Sequence, residues 1–302
     1  MTSASLDAPP SRAEYRPRVA VVTSRQYEHL YEEDRPLLAA FDEHNIDAVP
    51  AVWDDPSVNW RDYDLVLLRS PWDYPSHPKV FLDWCHSVSW QTTIVNSFTA
   101  IRGNQHKGYL RELHRRGAPV IPTVVVAKPS DAIAAAAERG WAEPVLKPAT
   151  SMGGRGVHLL TGTDVAALDA TSTGDWVVQP LQRNIRDEGE ISLIYLDGRL
   201  SHAVRKWPAP GEIRIQESHG GSHSPHPVNT ELVEVGEAVL DAAEVRDELV
   251  VRIDVIRGDH GGLLLCELEL TAPRLFFGHH PAAVDALVEA IGARLKALAG
   301  YH

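Results

Sequence analysis

The chain has 302 residues, with 29 lysines and arginines against 41 aspartates and glutamates, a formal net charge of −12. That length supports a large core and two or three subdomains, and an acidic balance without a basic cluster argues against a nucleic-acid partner. Cys85 and Cys266 stand far apart with no CxxC, which suits a reducing cytoplasm, and no run approaches the roughly 20 apolar residues of a membrane span.

Residues 1–17 are polar, carry Pro9, Pro10 and Pro17, and lack the basic start and apolar run of a signal peptide; they are expected to form a disordered tail. An apolar strand is predicted at 18–23, a helix at 35–44, strands at 47–53 and 63–68, and a helix at 80–88. Alternating strands and helices imply a parallel α/β domain over 18–99, with its ligand beyond the C-terminal strand ends. Thr23, Ser24 and Arg25 lie at one such end, and Arg69, Trp72 and Tyr74 at another. The Arg69 fork suits a carboxylate, while Trp72 and Tyr74 either wall a site or simply pack on a loop.

A second block, 100–180, contains a predicted helix at 107–116 closed by Gly117, a strand at 120–126, an alanine-rich helix at 130–139 and strands at 144–147 and 176–179. Lys147 opens the loop Lys147-Pro148-Ala149-Thr150-Ser151-Met152-Gly153-Gly154-Arg155-Gly156. Backbone N–H groups and two hydroxyls in such a loop can cradle phosphate, but a glycine turn between strands is more often only a hairpin. Neither the GxxxxGK[ST] loop nor a complete GxGxxG occurs.

The third block, 181–302, is rich in strands and ends in a helix at 282–299. The stretch from His219 to His226 reads as a flexible polar loop, because no carboxylate or cysteine completes a metal set, and His279 and His280 are uninformative. Val250 to Ile256 and Leu263 to Leu270 form a predicted hairpin in which Arg252 shares a face with Asp254, and Glu267 with Glu269. Pairing Ile256 with Leu263 would set Asp254 opposite Leu265 and beside Glu267. Three carboxylates beside one arginine leave excess negative charge, which calls for a cation, most simply Mg²⁺ shared with phosphate. The alternative is a solvent-facing amphipathic hairpin.

The order Lys107, Lys147 with its glycine loop, Gln179-Pro180-Leu181, Gly189-Glu190, Lys206, Arg252-x-Asp254 and Glu267-x-Glu269 resembles the ATP-grasp superfamily over nearly the whole chain. The resemblance implies three subdomains, α/β with α+β character in the ATP-binding part: 18–99 for substrate, 100–180 as the lid subdomain and 181–302 carrying the metal site. It implies that Lys107 and Lys147 contact the nucleotide phosphates, with Thr150 and Ser151 also binding the nucleotide, and that Gly153, Gly154 and Gly156 form a mobile lid. Gln179, Pro180 and Leu181 would bind adenine through the backbone and Glu190 the ribose. Lys206 would reach the terminal phosphate or the acyl phosphate, Asp254, Glu267 and Glu269 would hold two Mg²⁺ ions, and Arg252 would stabilise an oxyanion. Glu269 stands where asparagine is common in the family, and Gln179 where an acid is common.

Within the superfamily the chain is similar to the small group of D-cycloserine synthetase type, on Arg69 to Tyr74, His202 to Pro208, and Glu267 to Leu270 with Pro273. That similarity implies ATP-dependent activation of the carboxylate of O-ureido-D-serine, then ring closure by intramolecular nitrogen attack. The amino-acid-like substrate is expected at Arg69, Trp72 and Tyr74, with Thr23, Arg25 and Asn96 behind them and Arg214 and Gly221 closing the pocket. An intermolecular carboxylate–amine ligase and a non-catalytic nucleotide-binding protein are the alternatives. A monomer or homodimer with no membrane partner is expected.

Overall fold

Val19 to Val22 are wholly buried, a β-branched run suited to the centre of a parallel sheet. This strand, β1 (Arg18–Thr23), is followed by α1 (Pro36–Glu43), β2 (Asp47–Val52), β3 (Leu65–Ser70), α2 (Pro78–Ser89) and β4 (Thr93–Val95), giving a parallel sheet in the order β2-β1-β3-β4. Both helices start with proline, whose fixed φ fits a first turn. The computed structural model describes residues 15–300. Most of the expected tail lies outside these residues; at its end, Tyr15 donates to Asp64 at 2.5 Å and Arg16 pairs with Asp42, so residues 15–17 are tied down.

Ser97 caps α3 (Phe98–Asn104), its hydroxyl accepting from the Ala100 amide, and α4 (Tyr109–Arg115) ends at Gly117, whose φ of +96° favours glycine. A small antiparallel sheet follows, built from β5 (Val124–Val126), β6 (Pro144–Pro148), β7 (His158–Leu159) and β8 (Trp176–Pro180) in the order β5-β8-β6-β7, with α5 (Asp131–Ala137) and α6 (Val165–Thr171) beside it. The glycine loop joins β6 to β7, which pair antiparallel, so it is indeed a hairpin connection.

The largest sheet runs β11-β10-β9-β12-β13, from β9 (Glu190–Leu196), β10 (Arg199–Trp207), β11 (Ser222–His226), β12 (Val250–Arg257) and β13 (Leu263–Glu269). The remaining helices are α7 (Thr230–Ala243) and α8 (Ala282–Gly300). Leu110 and Leu113 of α4 pack with α7 against this sheet, not with the four-stranded antiparallel sheet that follows them in sequence. Helix α8 likewise leaves its own block: Leu287 and Ile291 share a core with Leu37 and Phe41 of α1 and Ile194 of β9.

The acidic hairpin forms, in a register other than the expected one. Ile256 faces Leu264 and Val255 faces Leu265, and a bulge at Cys266 then brings Asp254 opposite Glu267 and Arg252 opposite Glu269. The Cys266 thiol, with a single proton to donate, stands 3.1 Å from the Asp254 carbonyl and 3.2 Å from Glu190 at the extra residue. One residue of slip at Ile256 and one more at the bulge thus place Asp254 directly across from Glu267 rather than diagonal to it.

Candidate active site

Carboxylate oxygens of Asp254, Glu267 and Glu269 lie within 4.8 Å of one another. Arg252 grips Asp254 through Nε at 3.0 Å and Nη2 at 2.9 Å, and also pairs with Glu269. Ser192 donates to Asp254 at 2.5 Å. Lys206 lies 3.2 Å from Asp254 and pairs with Glu190, while Lys107 lies 3.0 Å from Glu267 and donates to the Ser151 carbonyl at 2.5 Å. The excess negative charge expected from the hairpin alone is therefore answered by lysines arriving from β10 and from the segment between α3 and α4. An oxygen-only carboxylate set at this spacing fits Mg²⁺.

Burial would raise the Asp254 carboxyl, but Arg252 and Lys206 outweigh it and hold the group well below the usual carboxylate range. Burial likewise opposes ionisation of Glu267, and Lys107 and Lys147 keep its pKa lowered. Glu269 is different: burial, with only partial relief from Arg252, pushes it up to about 7. Lys147 is lowered by burial, against the pull of Glu267, and among the described residues no carboxylate stands within ion-pair distance of it. For Lys206 burial alone would lower the pKa, yet Asp254 and Glu190 hold it above its ordinary value.

Two clefts meet at these acids. The first is lined by Lys107, Lys147, Ser151, Gly154, Gln179, Pro180, Leu181, Glu190 and Glu267, with apolar walls from Ile121, Val145, Ile215 and Ile256. Gln179 Nε2 donates to Thr123 at 2.8 Å, so that side chain is braced by its neighbour. Gly154 and Gly156 adopt φ of +70° and +72°, and a Cβ at Gly156 would sit 2.7 Å from the Pro148 ring, so glycine is required there. Thr150 stands on a small neighbouring hollow with Ser151 and Glu267. The second cleft, about 500 Å³, is lined by Gly153, Arg155, Lys206, Arg252, Asp254 and Glu269, with aromatic walls from Tyr27, Trp72 and Phe276. Glu190 and Glu267 line both.

Several expected substrate contacts are spent elsewhere. Arg69 is fully buried and its Nη2 donates to Asp34 at 2.9 Å and to the Pro273 carbonyl at 3.1 Å; the carboxylate it holds belongs to the protein itself. Thr23 donates to the Tyr27 carbonyl at 2.6 Å, and Asn96 bridges the Val250 and Leu270 carbonyls at 2.6 and 2.7 Å. Arg25 lies outside both clefts on Asp54 at 3.4 Å. Arg214 lines the first cleft, paired with Glu212, and Gly221 holds a loop, since a Cβ there would come 2.1 Å from the Ile215 carbonyl. Trp72 does face the second cleft, its indole N–H donating to the Ala272 carbonyl at 2.9 Å, and Tyr74 stands beside Glu267 and Glu269 in the small hollow.

Residues without a sequence expectation complete the second cleft. Arg274 pairs with Glu33 and with Glu217 at 2.8 Å, and lies 4.9 Å from the Phe276 ring centre. His223 bridges Glu217 at 2.7 Å and His279 at 2.6 Å, so the histidine-rich loop is ordered against the cleft rather than free. The one signal for Arg274 was its place directly after Pro273 beyond the acidic strand.

Comparison with known proteins agrees with this geometry. Residues 114–276, more than half the chain, match the family model of the prokaryotic glutathione synthetase ATP-grasp domain, and residues 19–96 match that of the N-terminal domain of the D-cycloserine synthetase DcsG. The cycloserine biosynthesis protein DcsG of Streptomyces lavendulae is 28% identical over 279 residues, spanning 86% of this chain and 93% of that protein. A crystal structure of D-cycloserine synthetase DcsG superposes with a TM-score of 0.81 at 28% identity, covering 92% of this chain and 99% of the other. The ATP-grasp ligase PsnB, solved with a precursor variant, Mg and ADP, shares the fold with a TM-score of 0.64 at 15% identity over 91% of this chain and 99% of its own. With the lysines, glycine loop and acidic hairpin gathered around two clefts, the chain belongs to the ATP-grasp family of ATP-dependent ligases and resembles DcsG.

Proposed function

We propose that the enzyme closes O-ureido-D-serine to D-cycloserine at the expense of ATP. The observation that carries the reading is the meeting of the two clefts at Glu190 and Glu267, which would put a phosphoryl donor on one side of the acids and a carboxylate acceptor on the other. Lys107 and Lys147 would bind the phosphates, Gln179 to Leu181 the base and Glu190 the ribose. Asp254, Glu267 and Glu269 would hold Mg²⁺, two ions by this reading, which neutralises charge on the equatorial phosphate oxygens. Arg252 and Lys206 line the second cleft and would stabilise the oxyanion and the acyl phosphate.

The carboxylate takes the γ-phosphoryl group to give the acyl phosphate and ADP. The oxygen-linked ureido nitrogen then attacks the acyl carbon, losing its proton and expelling phosphate. Hydrolytic loss of the carbamoyl group as CO₂ and ammonia leaves the five-membered ring. Proximity favours attack within one molecule, so the protein must fold the substrate and keep water from the acyl phosphate. Trp72, with Tyr27 and Phe276, would form the walls that do so, and Tyr74 would stand in the adjoining hollow beside Glu267 and Glu269. The DcsG likeness supports this substrate over an intermolecular amine ligation of the glutathione synthetase kind.

Incubating the enzyme with Mg-ATP and each enantiomer of O-ureidoserine, with products followed by mass spectrometry, tests the reading. Cycloserine and ADP in equal amounts from the D-enantiomer are expected. ADP release that requires a separate amine would replace the cyclo-ligase reading with an intermolecular one.

A further inference from the structure

Strand β13 is an edge of the five-stranded sheet, and an edge leaves alternate backbone groups without a ladder partner. Glu267 and Glu269 pair with Asp254 and Arg252 of β12, so the intervening Leu268 and the following Leu270 turn their backbone groups outward. Among the described residues no strand covers them. Instead the Tyr109 hydroxyl accepts from the Leu268 amide at 2.9 Å and donates to the Leu268 carbonyl at 3.0 Å. The Asn104 carboxamide donates to the same carbonyl at 2.8 Å and accepts from the Leu270 amide at 2.9 Å. Two side chains thus do the work of a neighbouring strand, on the residues that flank and separate the two glutamates.

The same short segment reaches two other parts of the site. Between Asn104 and Tyr109 lies Lys107, whose ammonium is 3.0 Å from Glu267 and bonds the Ser151 carbonyl, and whose backbone amide donates to the Ala149 carbonyl at 2.7 Å. The segment therefore binds the acidic strand on one side and the base of the glycine loop on the other.

We propose that Asn104 and Tyr109 are positioning residues for the metal carboxylates: they fix the backbone of β13 so that Glu267 and Glu269 converge with Asp254, and they register Lys107 between that site and the glycine loop. Neither side chain touches substrate in this account. The inference rests on the metal reading of Asp254, Glu267 and Glu269. Partners that orient metal ligands from behind typically govern affinity by 10- to 100-fold, the range expected here.

Titration of the free protein with Mn²⁺ alone, followed by electron paramagnetic resonance of the unbound ion, tests it without nucleotide or substrate. Tyr109→Phe keeps the ring and removes the hydroxyl; it is expected to weaken Mn²⁺ binding about tenfold. In turnover the same variant is expected to raise the KM for Mg²⁺ by a similar factor while kcat at saturating Mg²⁺ stays within about threefold. Asn104→Ala provides an independent second variant. Ile291→Val, in the core that α8 shares with α1, is the control for lost stability without lost metal affinity. Unchanged Mn²⁺ affinity in both variants, with only a lowered Tm, would overturn the proposal, and so would a failure of both to fold, which would make the contacts structural supports. Absence of Mn²⁺ binding by the wild type would instead remove the metal assignment on which the proposal stands.

Discussion

Replacing Arg69 by methionine keeps most of the side-chain volume and removes the charge, so it separates a structural role from a substrate-binding one. Arg69 is fully buried and Asp34 is 2% exposed, and the two are joined by bonds of 3.0 and 2.9 Å from Nε and Nη2. Burial already raises the Asp34 pKa, with Arg69 as the main opposing influence. Deleting one member of a buried pair typically costs about 3–5 kcal/mol, because the remaining charge has no partner and no water. The Pro273 carbonyl also loses its donor, adding about 1 kcal/mol. Against a total stability of roughly 5–15 kcal/mol this is a large fraction. Urea denaturation of Arg69→Met, Asp34→Leu and the double variant is the assay. Each single variant is expected to lose about 3–5 kcal/mol, and the double variant at least about 2 kcal/mol less than the sum. Asp34 lacking its cation binds a proton more readily, so the Arg69→Met deficit should shrink as pH falls. An Arg69→Met protein as stable as wild type that has lost affinity for the amino-acid substrate would refute the structural assignment and restore Arg69 to the active site.

Glu267→Gln is expected to lower kcat at least about 100-fold with the Tm nearly kept, since it removes charge without changing shape. Asp254→Asn is expected to lower kcat as much and also to lower the Tm, because buried Arg252 and Lys206 lose a shared carboxylate; retained turnover in both would remove the metal assignment. Glu269, pushed up to about 7, holds a proton below that pH which a metal must displace. The KM for Mg²⁺ is therefore expected to rise up to tenfold per unit as pH falls below about 7, and a flat profile between roughly pH 8 and 6 would contradict this. His202 is lowered to about 4, first by burial, and its neutral ring bonds the Leu275 carbonyl at 2.8 Å. The unfolded imidazole protonates first, near 6.5, so its contribution is complete above that value and declines as pH falls toward about 4. At most about 3 kcal/mol is involved. Urea midpoints of His202→Asn should be less pH-dependent over this interval than those of wild type.

Much of the architecture was legible because its signals are local. Val19 to Val22 announce a buried strand, and the two-residue spacing of Glu267 and Glu269 survives any choice of partner. Register was not legible: nothing in the strand pattern marks the bulge at Cys266, whose thiol faces both Asp254 on the partner strand and Glu190, 76 positions earlier. The lysines of the site were identified by their order along the chain, but their pairing with Glu190 and Glu267 needed the fold. Arg69 illustrates the opposite failure. At a strand end an arginine suggests a ligand, and nothing local reveals that Asp34, in a short turn 35 positions earlier, supplies the carboxylate. Helix α8 joins the first domain's core for a similar reason, since an apolar helix face does not say which sheet covers it.

The central claim is that the site phosphorylates a carboxylate. O-ureido-D-serine labelled with heavy oxygen in its carboxylate, incubated with Mg-ATP and enzyme, tests it by mass spectrometry of the released phosphate. One labelled oxygen in each phosphate formed with ADP is the expected result, because the acyl phosphate breaks at its carbon–oxygen bond. ADP formed together with wholly unlabelled phosphate would contradict the account.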